Sequence, residues 1–426
     1  MGFVGLLMIF FAMFTFDHNT PFPSVYALIP TLGTAFLIAF ASPASLMGRI
    51  LSLRPVVGVG LISYSAYLWH QPLFVFARHG SLEEPSVRLL LFLSGLSLLL
   101  AFISWKYIET PFRNKKVFSR KFIFSFAVVG SVLLFSWGAA GHINDGFVKR
   151  KTSSGEEYGV IADKIRVNHG LNKICDWKFT TDPECRTADN PEILVWGDSY
   201  AMHLVKGIIS SKSDVRLIQM TKSQCGPFIN FSPLNASYGL DMAKKCIEFN
   251  DDVLRWLREN KSVKYVVMSS ILFQYVGDGN QTLSGDTVSG ASYEKLREKL
   301  VETMDYLESI GVQPVFISPT PFNGNDIGHC LLRHEFLGGS LDECSFNYSD
   351  TSVSYQNVSN MLTEIGKTHR VVLLSDGICP NGKCESHVGS TYIYRDNGHL
   401  SVDGSAWLGK EMDFYGLISG NISAVQ

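Results

Sequence analysis

A serine, an aspartate and a histidine occur along this chain in contexts that suit nucleophilic acyl chemistry. Ser199 lies in Trp196-Gly197-Asp198-Ser199-Tyr200, where a short apolar run stops and a helical pattern begins. A hydroxyl at such a strand-to-helix turn projects into the cleft above a sheet. The helix N-terminus behind it offers backbone N–H groups to a developing oxyanion. Gly and Asp are also common turn formers, so this motif alone reads as a structural turn. The second group is Tyr394-Arg395-Asp396-Asn397-Gly398-His399-Leu400-Ser401, far downstream. An Asp three residues before a His on a tight turn can place both side chains on one side of the chain. His399 then takes the Ser199 proton, while Asp396 fixes the imidazole tautomer and stabilises the imidazolium. An isolated D-x-x-H reads as a surface turn, but this one closes the α/β unit that the serine opens.

Bringing these residues together needs a scaffold, and the second part of the chain carries its pattern. Apolar runs at 193–196, 215–220, 265–269, 312–318 and 371–374 read as strands. Amphipathic stretches at 241–260, 293–310 and 353–367 separate them, and another helix begins near Asp403. Short apolar strands alternating with helices predict βαβ units and a parallel sheet covered on both faces. In such a sheet the working groups sit at the C-terminal strand ends.

Composition divides the chain in two. Of its 426 residues 46% are hydrophobic and 18% are charged, against about 25% charged in an average soluble domain. That much apolar residue excludes a disordered chain. With 37 basic against 39 acidic residues, no global positive field suggests a nucleic-acid partner. The apolar excess lies in the first 140 residues, where 1–16, 26–42, 56–78, 87–108 and 121–140 read as five transmembrane helices. The first of these also resembles a signal peptide, but it lacks a basic leader and a small-residue cleavage site. Arg113, Lys115, Lys116, Arg120 and Lys121 put the loop after the fourth span in the cytoplasm, with Arg49 and Arg54 on the same side. The loop with Glu83 and Glu84 then lies outside, as does everything after residue 140, although Lys149, Arg150 and Lys151 oppose this weakly.

All eight cysteines follow residue 170: Cys175, Cys185, Cys225, Cys246, Cys330, Cys344, Cys379 and Cys384. An even number confined to the expected exterior reads as a disulfide framework, most simply paired in sequence order. Zinc is disfavoured by the absence of a C-x-x-C pair and of matching histidine spacing, so no metal is expected.

Residues 191–426 resemble the SGNH (GDSL-type) hydrolases, which have a three-layer α/β/α flavodoxin-like fold. The family's first block matches Gly197-Asp198-Ser199 and its last matches Asp396 and His399. The resemblance makes Ser199 the nucleophile, His399 the base and Asp396 its orienting partner. The second block supplies an oxyanion-hole glycine, for which Gly226 in Ser223-Gln224-Cys225-Gly226-Pro227 is the candidate. The third block, G-x-N-D, is missing; the chain reads Met268-Ser269-Ser270-Ile271-Leu272-Phe273-Gln274 there. Loss of one oxyanion donor costs about 10²–10³ in rate, which leaves the Ser199 N–H, the Gly226 N–H or a polar substitute to carry the role.

The membrane part resembles acyltransferase family 3 proteins, through Ser63-Tyr64-Ser65-Ala66-Tyr67-Leu68-Trp69-His70-Gln71-Pro72-Leu73 and Ile108-Glu109-Thr110-Pro111-Phe112-Arg113. In one bacterial branch a final helix carries an SGNH domain into the periplasm. The chain then divides into the end of the family 3 membrane domain (1–120), a linking transmembrane helix (121–141), an extracytoplasmic linker with a small stapled segment (142–190) and an SGNH domain (191–426). The expected fold is a multi-span α-helical membrane segment followed by that parallel α/β domain. Complete members have more spans before the linking helix, so the chain reads as a truncated product, a mis-assigned start or half of a split pair. His70 is either part of an acyl-transfer path or an interfacial histidine beside Tyr67 and Trp69. Glu109 and Arg113 form an i,i+4 ion pair at a helix end.

The resemblance implies a plasma-membrane O-acetyltransferase of an envelope polysaccharide such as lipopolysaccharide O-antigen. It implies no bound cofactor, with acetyl-CoA as the ultimate acyl donor. Its partners are the lipid bilayer, a glycan acceptor and a separate chain supplying the absent spans. The alternatives are an extracytoplasmic carbohydrate esterase and a catalytically dead glycan-binding module.

Overall fold

The computed structural model describes residues 1–420, apart from 18–19, 83–84, 115–116, 154 and 278. The expected topology markers Glu83, Glu84, Lys115 and Lys116 lie outside the described residues. The chain forms two compact units, Met1–Ile143 and Asn144–Gln426.

The first unit has a helix at each of the five apolar segments: Gly2–Thr15, Val25–Phe40, Arg54–Gly80, Val87–Arg113 and Arg120–Ile143. Among the described residues, two of them, Val87–Arg113 and Arg120–Ile143, are long and apolar enough to cross a membrane. The expectation of five such spans is therefore met only in part, for a physical reason. Gly2–Thr15 has 14 residues, about 21 Å at 1.5 Å per residue, short of the roughly 30 Å hydrocarbon core. Arg54–Gly80 has the length, at 27 residues, but Arg54, His70, Gln71, Arg78 and His79 interrupt its apolar character. It packs along Val87–Arg113, with the Trp69 indole N–H donating to Ser104 Oγ at 2.8 Å and Ser65 Oγ to Glu109 Oε2 at 3.1 Å. The expected Glu109–Arg113 pair is present at 2.6 Å.

The second unit is built on a five-stranded sheet: β1 (Ile193–Gly197), β2 (Leu217–Thr221), β3 (Tyr265–Ser269), β4 (Gln313–Ile317) and β5 (Val371–Val372). Its order is β2-β1-β3-β4-β5, parallel throughout, which is the flavodoxin-like arrangement. Strand alternation produces two cores. Leu194, Trp196, Ile218, Met220, Val266, Met268 and Phe316 face one, covered by Leu240–Glu259, Tyr293–Ser309 and Val353–Ile365. Ile193, Val195, Leu217, Val267, Val315 and Ile317 face the other, covered by Val205–Ser211, Val402–Glu411 and Phe414–Ser419. The three layers follow from period-2 side-chain alternation in strands buried on both faces. The run at 371–374 yields only two strand residues, because Leu374 O already accepts from Ile378 N–H in the turn of helix Ser375–Ile378.

Switch geometry places the cleft. The chain leaves β1 outward to β2, then returns to β3 on the other side, so the C-terminal ends of β1 and β3 open onto a crevice. β2 is an edge strand, and residues 168–187, which composition reads as linker, cover it. Arg186 bridges Ile218, the Thr187 N–H donates to Leu217 O at 2.8 Å, and the Gln219 side chain donates to His169 O at 3.2 Å. Covering the edge satisfies backbone groups that would otherwise invite foreign strands.

The cysteines pair in sequence order as Cys175–Cys185, Cys225–Cys246, Cys330–Cys344 and Cys379–Cys384. Cys225–Cys246 closes a 21-residue separation inside the first core. Replacing both cysteines by Ala is expected to lower the unfolding free energy of the second unit by about 3 kcal/mol. Denaturant unfolding of the full chain in detergent, followed by tryptophan fluorescence, measures this; an unshifted midpoint contradicts it.

Candidate active site

β1 ends at Gly197, whose φ of +149° favours glycine. A Cβ there would collide with Ser269 O at the end of β3. This close approach lets the next residue tie the two strand ends together. Asp198 is fully buried; its Oδ2 accepts from Ser270 Oγ at 2.7 Å and Ile271 N–H at 3.0 Å, and its Oδ1 from Tyr200 N–H at 2.8 Å. Burial pushes the Asp198 carboxyl up, and these hydrogen bonds oppose the shift. Asp198 thus caps the short helix Ser199–Met202 and sets Ser199 at its first position.

Ser199 Oγ lies 2.8 Å from His399 Nε2, and His399 Nδ1 lies 2.9 Å from Asp396 Oδ2 and 3.0 Å from Oδ1. An ionised carboxylate only accepts, so Nδ1 carries the proton and Nε2 is left as acceptor for the Ser199 hydroxyl. Oδ1 of Asp396 also accepts from Gly398 N–H at 3.0 Å and His399 N–H at 2.8 Å, while Arg395 Nε and Nη2 donate to Oδ2 at 3.0 and 2.7 Å. Burial alone would raise this carboxyl. The hydrogen bond and charge of His399, with the two backbone donors, outweigh it and hold Asp396 well below the usual carboxylate range.

The imidazole is also fixed from behind. The Tyr200 ring lies 4.7 Å from that of His399, and the buried His203 ring meets it edge-on at 5.8 Å. Any side chain at Gly398 would strike the Tyr200 hydroxyl. Leu400 N–H donates to His203 Nδ1 at 3.2 Å, so the His203 proton sits on Nε2, a buried atom without a partner among the described residues. Burial, then the charges of His399 and Arg395, pull His203 well below the ordinary histidine value.

The structure therefore brings Ser199, His399 and Asp396 together, and it leaves Gly226 out. Gly226 is buried, its N–H donates to Tyr275 Oη at 2.9 Å, and its O accepts from Asn250 at 2.9 Å. A Cβ there would meet Phe228 and Tyr275, so packing explains the glycine. In place of the missing third block, Ser270 is spent on Asp198, and Gln274 Nε2 donates to Gln224 O at 2.9 Å. The Ser199 N–H, at the first helical position, has no intrahelical partner and is available as a donor. His70 belongs to the other unit, and its Nδ1 is bonded to its own helix, 2.7 Å from Tyr67 O. Sequence reasoning missed Arg395, Asp198 and His203. Arg395 had one signal, its place directly before Asp396.

A serine at a strand-to-helix turn, lined up with a histidine and a carboxylate at the open end of a 2-1-3-4-5 sheet, defines the class of serine acyl hydrolases and transferases. The family described as an SGNH domain fused to AT3 domains matches residues 174–414, more than half of the chain, and the chain belongs to it. The O-acetyltransferase OatA of Staphylococcus aureus (strain NCTC 8325 / PS 47) is 35% identical over 116 residues, covering 27% of this chain and 19% of that protein. The peptidoglycan O-acetyltransferase OatA of Listeria monocytogenes is 26% identical over 114 residues, covering 26% and 18%. The matches thus span less than a fifth of those relatives' length. The periplasmic domain of the Salmonella ser. Paratyphi A lipopolysaccharide acetyltransferase superposes with a TM-score of 0.47 at 18% identity, over 61% of this chain and 99% of that one.

The burial of His203 has a testable consequence. Its value is depressed in the fold and close to 6.5 when unfolded, so the unfolded chain takes up the proton first as pH falls. Stability is therefore fully present above pH 6.5 and declines below it, by up to about 1.4 kcal/mol per pH unit for this one group. His203→Gln, which can still accept from Leu400 N–H, should show a shallower decline between pH 7.5 and 5.5 in denaturant unfolding. Equal slopes for the two proteins would refute this.

Proposed function

We propose that the chain is a membrane-bound O-acetyltransferase that acetylates an envelope polysaccharide on the outer side of the plasma membrane. The observation that carries this reading is the Ser199–His399–Asp396 alignment, with links of 2.8 and 2.9 Å, in a chain of the family fused to acyltransferase domains. The names of the OatA relatives agree with O-acetyl transfer, and the four disulfides suit an oxidising compartment.

The chemistry runs in two halves. His399 Nε2 takes the Ser199 proton as Oγ attacks the carbonyl carbon of the acyl donor, and the Ser199 N–H faces the developing oxyanion. His399 then returns the proton to the leaving group, and an acetyl-serine ester remains. In the second half a sugar hydroxyl attacks that ester, its proton passes to Nε2, and Ser199 leaves and is reprotonated. Acetyl-CoA is the ultimate donor, and the first unit delivers the acetyl group across the bilayer, with His70 on its path. In this reading the shorter helices, Gly2–Thr15 and Val25–Phe40, also lie in the membrane. The acceptor is a glycan such as lipopolysaccharide O-antigen.

The test uses the full chain in detergent with p-nitrophenyl acetate. Ser199→Ala should lower ester cleavage by at least about 10³-fold, and Asp396→Asn by roughly 10³–10⁴-fold. Intact mass should show an acetyl adduct on wild type alone. Adduct decay accelerated by added glycan marks a transferase, and decay indifferent to glycan marks an esterase. Equal cleavage by wild type and Ser199→Ala would leave a glycan-binding module.

A further inference from the structure

Beside the C-terminal end of β2 stands an exposed aromatic side chain that the triad does not use. β1 and β2 pair in register, Gly197 beside Thr221, and Lys222 N–H donates to Gly197 O at 3.0 Å. Asp198-Ser199 and Lys222-Ser223 therefore leave the sheet side by side. Residues 175–177 ride on that second pair. Thr221 Oγ1 donates to Cys175 O at 3.2 Å, Ser223 N–H and Oγ donate to the Asp176 carboxylate at 2.8 and 2.6 Å, and Lys222 Nζ donates to Trp177 O at 2.9 Å. Cys175–Cys185 closes the segment from the other side.

These bonds hold Trp177 in an unusual state. Its φ is +75°, a backbone region that bulky side chains seldom occupy and that persists only where surrounding contacts impose it. It is 51% exposed, with Lys222 Nζ 5.9 Å from the ring centroid. The aromatic residues beyond β3 and β4 behave differently: Phe273 and Phe322 pack edge-to-face at 4.9 Å, and Phe322 also contacts the buried Tyr355. Hydrophobic burial explains those two, and nothing in the core requires Trp177 where it stands.

We infer that Trp177 is the platform on which a pyranose ring of the acceptor glycan stacks, next to Ser199. This rests on the acyl-transfer reading above and adds the site that selects the acceptor. A pyranose has an apolar C–H face bordered by hydroxyls. A rigid indole matches the face at low entropy cost, while neighbouring polar groups such as Lys222 Nζ and the exposed Gln224 side chain can take the hydroxyls. A sugar held there on the β2 side approaches the ester from the flank opposite the closed Phe273–Phe322 pair.

The experiment uses the full chain in detergent as wild type, Trp177→Ala and Trp177→Phe. p-Nitrophenyl acetate serves as donor. Acceptors are chitotetraose and oligosaccharides released by mild acid from the source cell's envelope polysaccharide. Trp177→Ala should raise acceptor KM about ten-fold or more, the size of one lost anchor contact (about 1.4 kcal/mol). Donor hydrolysis without glycan should stay within about two-fold, and Trp177→Phe should recover most of the acceptor KM. Unchanged acceptor KM in Trp177→Ala would overturn the inference, as would parallel loss of donor hydrolysis, which marks a structural role. Calorimetric titration of the same oligosaccharides into Ser199→Ala separates the two readings. Binding lost on adding Trp177→Ala, without transfer by wild type, sustains the platform and sinks acyl transfer. No binding to either variant, with no transfer by wild type, sinks both.

Discussion

The arrangement at the cleft depends on one carboxylate. Asp396 accepts from five N–H groups, two on Arg395, the backbone amides of Gly398 and His399, and the His399 ring. Charge-assisted bonds of this kind are roughly twice as strong as neutral ones. Each also restrains a different part of the loop, so the imidazole has no free torsion. The loop is tied off by a bridge between Tyr394 and Leu400 and by Arg395 N–H donating to His399 O at 2.9 Å. Without a carboxylate at position 396 these donors would lose their shared acceptor, and an amide in its place could hold the imidazole in the wrong tautomer, with the proton on Nε2. Arg395 anchors Oδ2 with a planar fork, while the hydrogen bond and charge of His399 and the two backbone donors keep the carboxylate ionised.

A second constraint makes the first useful. The loop meets Ser199 only because β1 and β3 are adjacent, and Asp198 bridges their ends through Ser270 and Ile271. The residue between the strand and the nucleophile thus acts as a clasp. Gly197 permits it by letting β3 approach without a side chain in the way. The departure from the family's third block lies on the same stretch. The chain uses Ser270 to hold the clasp, so this part of β3 serves strand geometry more than the oxyanion. Of the oxyanion donors the family's blocks would supply, the Ser199 N–H is the one these bonds leave available.

Much of this was legible in the sequence because it is governed by short-range rules. Apolar runs located the five sheet strands and period-3.6 patterns most of their covering helices, since burial on two faces leaves a continuous apolar signature. The serine and the D-x-x-H turn were visible because each contains its own local geometry. Cysteines could be paired in order because near neighbours meet most readily. The unreadable parts depend on distant contacts. Gly226 looked like an oxyanion donor until Tyr275, 49 residues away, took its N–H. His203 went unremarked, and only the fold places this residue, in the turn between Ser199–Met202 and Val205–Ser211, against His399. Residues 168–187 look like a linker in composition, yet the open edge of β2 gives them a partner that no local pattern announces. The apolar segments of the first unit were legible as helices, but how many are long and apolar enough to span a bilayer depended on lengths and interruptions that apolar content alone overstates.

The triad does not choose between water and sugar. His399 Nε2 accepts a proton from either, and the acetyl-serine is equally open to both. Selection must therefore come from whatever holds an acceptor hydroxyl in place longer than water dwells there, and it must come from a rigid element, because a mobile one would surrender the proximity gain. On this chain the rigid element beside Ser199 is the β2 edge with its covering segment. Thr221, Lys222 and Ser223 are bonded in sequence to Cys175, Trp177 and Asp176. A stretch that looks like a tether in composition is thereby seated on the end of β2, the strand beside the one that carries Ser199.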